Sequence, residues 1–221
     1  MLFDLISELN TRGADFFRVV DVSMLPKEEN QGYGIALLIG SALSPNYILR
    51  GVKEKKLDKS EFRAKECLTD KLAELAEEYI VSKGYKAFAQ SERNLSKNGY
   101  YDDITKTTSL PHKKIAMMAG LGWIGKSNLL VTRKYGSAIC MSSVLTNIPV
   151  SAENKGLIMP ECGECTICQD NCPSGAIKGT IWEIGMDRSL IVDVNKCSTC
   201  LKCLIKCPYT LKYMKKIYDM D

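Results

Sequence analysis

Two stretches of this chain obey one spacing rule. Residues 162–173 read CGECTICQDNCP and residues 197–208 read CSTCLKCLIKCP, each a C-x2-C-x2-C-x3-C-P. The chain has ten cysteines in 221 residues, and all but Cys67 and Cys140 fall in these runs. No apolar stretch approaches the ~20 residues of a membrane helix; Ile35–Ile39 has only the length of a buried strand. The opening MLFDLISELN carries acids early and no basic stretch, so it does not read as a secretory signal. A cytoplasmic protein is expected, and disulfides are disfavoured there. Eight clustered thiols then point to metal.

The doubled run resembles that of bacterial ferredoxins, in which three cysteines wrap one iron–sulfur cubane and the fourth crosses to the other. The resemblance implies two [4Fe–4S] clusters. One is expected on Cys162, Cys165, Cys168 and Cys207, the other on Cys197, Cys200, Cys203 and Cys172. Paired C-x2-C motifs also build zinc sites, but zinc needs two close pairs rather than three cysteines and a crossing fourth. Cys67, in a helical stretch, and Cys140, in an apolar strand, read as structural residues, since free cysteine behaves as a small hydrophobe.

Two adjacent cubanes pass single electrons and do no bond chemistry unless one is opened or stands beside a reactive cofactor. The first cysteine run begins only at residue 162, and about 150 residues ahead of it are more than a cluster scaffold requires. Hydrophobic content of 45% and charged content of 25% suit a globular fold. Helices are expected at 2–12, closed by Gly13, at 60–83, capped by Ser60 and ended by Gly84, and from Pro111 to Ala119. Strands are expected in DFFRVVDV, YGIALLIG, YKAFAQ, NLLVT and SAICMSSVL, the last two joined by a Tyr135–Gly136 turn. Residues 91–109 are polar and read as a long loop. The rhythm is not strictly βαβ. The expected fold class is α+β, with a cofactor-binding domain at 1–150 and a double-cluster domain at 151–221.

GLGWIGKS, residues 120–127, matches both G-x-G-x-x-G and G-x-x-x-x-G-K-S. A dinucleotide turn or a P-loop needs a strand before the glycines and a helix after them. Here HKKIAMMA before the loop reads as helix and NLLVT after it as strand, so neither fits. Three glycines around Trp123 instead suggest close backbone approach, at a packed corner or against a flat cofactor.

The stretch AGLGWIGKSNLLVTRKYGSAICMSSVLTNIPV, the doubled cysteine run and CPSGAI at Cys172–Ile177 resemble the epoxyqueuosine reductase family. These are corrinoid iron–sulfur proteins, distantly similar to reductive dehalogenases. The resemblance is strong over 110–208 and looser before residue 90. It implies a nitroreductase-like sheet domain, a ferredoxin-like domain, and cobalamin (less readily flavin) between them. It also implies cofactor contacts from Gly120, Gly122, Trp123, Gly125 and Lys126. Long members carry helical repeats that help grip transfer RNA. This sequence ends at Asp221, soon after Cys207, and so resembles a short form for which transfer RNA is a doubtful partner. Long members also place an acidic proton donor in a D-S-A-P-like stretch, and the matching place, Lys106 to Thr108, holds no carboxylate.

His112, the only histidine, starts the helix before Gly120 and is the candidate catalytic residue, or else a capping one. A helix N-terminus would favour its neutral form. Tyr100, Tyr101, Asp102 and Asp103 are alternative donors or a solvated loop tip. Net charge is +4. Runs such as Lys53–Lys56 and Lys212–Lys216 read as solvated faces or as docking sites for an acidic electron donor, for example a ferredoxin or flavodoxin. Two functions stand at this point. One is a reductase of a small or nucleoside-like substrate. The other is a non-catalytic electron-transfer protein that docks a partner enzyme through residues 1–150, alone or within a larger redox complex.

Overall fold

The structure, a computed structural model, describes residues 2–152 and 154–218. Along the chain run α1 (Leu2–Thr11), β1 (Phe16–Asp21), α2 (Lys27–Asn30), β2 (Ile35–Ala42), α3 (Pro45–Glu54), α4 (Ser60–Ser82), β3 (Ala87–Ala89), α5 (Glu92–Lys97), β4 (Tyr101–Asp102) and β5 (Thr107–Thr108). There follow α6 (His112–Met118), β6 (Trp123–Ile124), β7 (Leu130–Val131), β8 (Ile139–Thr146), α7 (Ile167–Asp170), α8 (Lys202–Lys206) and α9 (Pro208–Tyr218), with a 3-10 turn at Arg188–Leu190. The mixture of helix and sheet agrees with the α+β expectation.

The chain forms two compact units that interleave in sequence. The first, the sheet unit, comprises 1–41, 62–120 and 140–156; the second, the cysteine unit, comprises 42–61, 121–139 and 157–221.

In the sheet unit four strands lie in the order β1-β2-β8-β3. β1 and β2 pair antiparallel from Phe16↔Gly40 to Asp21↔Ile35, and β3 pairs antiparallel with β8. Ala36 to Ile39 are all fully buried, which explains the unbroken apolar run: an interior strand covered on both faces does not alternate. Leu37 and Ile39, two residues apart and so on one face, join Leu5 and Leu9 of α1, Leu72, Ala73, Ala76 and Ile80 of α4, and Val144 of β8 in one core. The 91–109 segment is more ordered than its polarity suggests. Ser91 accepts a hydrogen bond from the Asn94 N–H and caps α5. Leu95 is buried beneath it, and Tyr101↔Thr108 and Asp102↔Thr107 close a small hairpin. The start of α4 also differs: Ser60 is its first residue, and its N–H is met by the Asp58 carboxylate at 2.9 Å.

In the cysteine unit α3 packs on α8 and α9, and α8 packs on α7 and α9. The Tyr213 hydroxyl donates to the Leu43 carbonyl at 3.0 Å, while Gly51 faces Ile205. α3 and α9 therefore run in opposite directions. The Tyr135–Gly136 turn is held against α9. Gly136 has φ +59°, and any β-carbon there would overlap the Thr210 backbone. The Thr210 hydroxyl also accepts from the Ser137 N–H at 3.1 Å.

Candidate metal centre

The first cysteine run turns tightly. The Cys165 N–H donates to the Cys162 carbonyl at 3.0 Å, and Gly163 takes φ +47°. α7 then carries Cys168 forward, and the Cys172 N–H closes on Gln169. The second run makes its turn with non-glycine residues, Thr199 and Leu201, in the left-handed region. Leu201 is buried and opens α8, which ends at Cys207.

The thiols fall into neighbourhoods. Burial first, then Cys162, Cys165 and Cys207, pushes the Cys168 thiol up to about 11. Burial, then Cys197, Cys200 and Cys168, pushes Cys203 up to about 12. Cys207 is raised mainly by burial, with Cys162 adding to it against hydrogen bonds from the Thr210 and Tyr209 backbone. Cys172 is lowered: burial acts upward, but the Ser174 hydroxyl and the N–H groups of Ile177, Ala176 and Ser174 outweigh it. Cys172, Cys203 and Cys168 share an apolar shell with Ala176, Ile177 and Val192. That shell is closed by the antiparallel bridge Ile177↔Val192. Thus a cysteine of the second run, Cys207, stands with the first run, and a cysteine of the first, Cys172, shares a shell with the second.

Among the described residues no three metal-ligating side chains converge on a site for one ion. Cysteine sulfur ligates iron–sulfur clusters and zinc alike.

The glycine loop belongs to this unit and lies against the first run. α6 precedes it and the antiparallel pair β6 and β7 follows it, so no helix begins where a phosphate would need one. The three glycines face protein. A β-carbon on Gly122 would overlap the Val131 carbonyl oxygen. One on Gly125 would come within 2.8 Å of Val131 Cγ2 and 3.7 Å of Cys162 Sγ. One on Gly120, which has φ +61°, would meet Lys155 Cβ at 2.7 Å. Trp123 is fully buried, edge-on to Tyr209 at 4.9 Å, and its Nε1 has no partner among the described residues. These surroundings fit a cysteine-bound cluster, whose cradle would be filled by a side chain at Gly125. Lys126 is buried and donates to the Cys165 carbonyl at 3.1 Å.

Beside Cys162, Glu161 accepts from Arg133 Nε at 3.0 Å and from the Tyr209 hydroxyl at 2.8 Å. Burial, then this carboxylate, pushes Tyr209 up to about 12. The sequence reading missed this clasp. Its one visible signal is that Glu161 and Tyr209 each flank a cysteine motif.

In the sheet unit His112 closes a polar chain. Gln90 Nε2 donates to the Leu110 carbonyl at 2.8 Å, which turns Gln90 Oε1 to accept from Ser143 Oγ at 3.3 Å. The Ser143 oxygen lies 2.9 Å from His112 Nδ1. Its proton being given to Gln90, Ser143 accepts from an Nδ1–H, which fixes the tautomer and leaves the lone pair on Nε2. Burial lowers His112 to about 4; desolvation, not the helix end, is the cause. At that value the imidazole is neutral at pH 7, a poor proton donor and a weak base whose Nε2 can accept a hydrogen bond.

The other candidate donors sit on the small hairpin. Tyr100, Tyr101, Asp102 and Asp103 are exposed, and Asp102 is held low by the N–H groups of Thr105 and Ile104. Cys140 is buried as expected, its thiol 3.7 Å from the Phe62 carbonyl, whereas Cys67 is exposed on α4 and belongs to no core. Also missed was the stripe Asp70, Glu74 and Glu77, legible as i, i+4, i+7. Burial raises Asp70 and Glu77. The three carboxylates receive the Glu92 N–H, the Ser91 hydroxyl and the Asn94 amide, and so tie α5 to α4.

Two units of this kind, one built on a sheet and one on a doubled cysteine run, define a class, the fold shared by reductive dehalogenases and epoxyqueuosine reductases. A structure reported for B12-dependent reductive dehalogenation has a TM-score of 0.68 at 16% identity, covering 97% of this chain and 33% of that one. An epoxyqueuosine reductase bound to a tRNA-Tyr stem loop has a TM-score of 0.56 at 16% identity, covering 95% and 65%. In sequence, the epoxyqueuosine reductase of Synechocystis sp. (strain ATCC 27184 / PCC 6803 / Kazusa) is 36% identical over 98 residues, 44% of this chain and 29% of the relative. No protein-family model matches. Over these stretches the chain is similar in sequence to epoxyqueuosine reductases. Its matches span less than a third of those curated relatives' length. Among the described residues no helix is long and apolar enough to cross a membrane.

Proposed function

We propose that the chain is an iron–sulfur reductase that draws electrons through two [4Fe–4S] clusters from a low-potential donor such as a ferredoxin or flavodoxin. Cys162, Cys165, Cys168 and Cys207 hold one cluster, and Cys197, Cys200, Cys203 and Cys172 hold the other. The observation that carries this reading is the position of Cys207 among the thiols of the first run, the exchange that the doubled motif demands. When bound, such clusters supply single electrons.

The residues of the chain do the positioning. The clasp of Arg133, Glu161 and Tyr209 braces the approach to Cys162, and Gly125 lets the glycine loop close over that thiol. The apolar shell around Ala176 and Ile177 packs against Cys172 and Cys203. His112, with its Nδ1 proton directed to Ser143, presents Nε2 as a hydrogen-bond acceptor.

A corrinoid acceptor and a small or nucleoside-like substrate rest on the likeness to B12-dependent and queuosine-forming relatives. No step is assigned to the corrinoid. Anaerobic reconstitution with iron and sulfide tests the reading. About eight irons per chain, with cluster absorbance bleached by dithionite, are expected; zinc in their place would end it. Adding cobalamin to that material separates the two functions. An altered cobalt spectrum supports a reductase with its own acceptor, and an unchanged one favours electron transfer to a partner enzyme.

A further inference from the structure

The loop that matched two nucleotide motifs without serving either contains an unusual lysine. Lys126 is only 7% exposed. Its ammonium donates to the Cys165 carbonyl at 3.1 Å, and among the described residues no carboxylate pairs with it. A buried cation without a counter-ion costs several kcal/mol, so such groups are paired in stable proteins. The neighbouring residue, Gly125, approaches Cys162 Sγ, and Lys126 grips the backbone of the next cysteine. Of the carboxylates beside the first run, Glu161 is engaged by Arg133 and Tyr209 and Glu164 is exposed, which leaves the thiolates of that run, and the cluster they would hold, as the anions for Lys126.

We propose that Lys126 is the counter-cation of the cluster on Cys162, Cys165, Cys168 and Cys207, and that it raises the reduction potential of that cluster above the potential it would otherwise have. The inference rests on the two-cluster reading above. Reduction adds one electron and so one negative charge; it breaks no bond. A fixed positive charge in a poorly solvated site favours the more negative state. The same ammonium, bonded to Cys165, holds the 162–165 turn in place. Lys126 is thus a positioning residue that acts through charge. It gives the two clusters different potentials although their cysteine spacing is the same, which sets a direction for electron flow between them.

The test is a redox titration of the reconstituted chain, followed by low-temperature electron paramagnetic resonance, with iron counted in each sample. Lys126→Gln should keep its iron and make one cluster harder to reduce. The ratio of reduced to oxidised cluster at fixed potential should fall by on the order of tenfold, about 59 mV for one electron. Lys126→Arg, which keeps the charge, should stay close to wild type. Unchanged potentials in Lys126→Gln at full iron content would overturn the inference. So would equal iron loss in both variants, since that makes the residue a packing element only. Wild-type protein that takes up no iron would overturn the cluster reading itself, a result distinct from either.

Discussion

In the sheet unit, Leu5, Leu9, Leu37, Ile39, Leu72, Ile80 and Val144 close on one another with nothing further required. Between residues 157 and 200 of the cysteine unit, by contrast, the buried apolar side chains are Ala176, Ile177, Ile191 and Val192. That stretch has one short helix and one 3-10 turn among its described elements. Ordering a residue costs roughly 1–2 kcal/mol of backbone entropy, and four such side chains return ~1–3 kcal/mol each. The sheet unit can be stable by burial. On the two-cluster proposal, bonds to the bound group would supply the folding free energy that this segment lacks.

The contrast breaks most sharply on removal of the metal. Chelation should abolish amide protection across 157–207 and leave β1, β2, β8 and α4 protected in hydrogen exchange; uniform loss in both units would show that burial and ligation are not separable in this way. Next in size, Cys207→Ala and Cys172→Ala should each cost about half of the iron, ~four atoms, and should spare opposite clusters by electron paramagnetic resonance. Loss of the second-run cluster alone in Cys207→Ala contradicts the exchanged ligation.

Ile80→Ala, in the sheet core, should destabilise by about 2–5 kcal/mol in denaturant unfolding with the iron count unchanged. The smallest effect concerns His112, whose folded value of about 4 lies below the unfolded 6.5. Between those values the unfolded chain binds the extra proton. Stability should therefore be unaffected above pH 6.5 and fall as pH drops from 6.5 to 4, by about 3 kcal/mol. His112→Asn should flatten that slope. An unaltered slope would mean that the imidazole is solvated.

Local signals carried far in some places and not in others. Gly13 and Pro111 marked helix ends because capping and proline geometry are decided by near neighbours. The order of helix, glycines and strand in the loop excluded nucleotide folds for the same reason. Residues 91–109 concealed α5, since a six-residue helix held by one cap and one buried leucine leaves little periodicity to read. Cys67 looked structural because sequence shows that a helix exists there, whereas its burial depends on which face the rest of the chain covers.

What the order of residues determined alone is the repeated spacing of the cysteines, the strand character of Ile35–Ile39 and the helical stripe of 60–82. Each follows from spacing along a backbone of fixed geometry. Tertiary structure decided that 42–61 and 121–139 join the cysteine-bearing tail, that Lys126 is buried against Cys165, and that His112 is neutral through desolvation. Those outcomes depend on contacts between residues far apart in sequence. Their energy exists only once the chain has closed on itself.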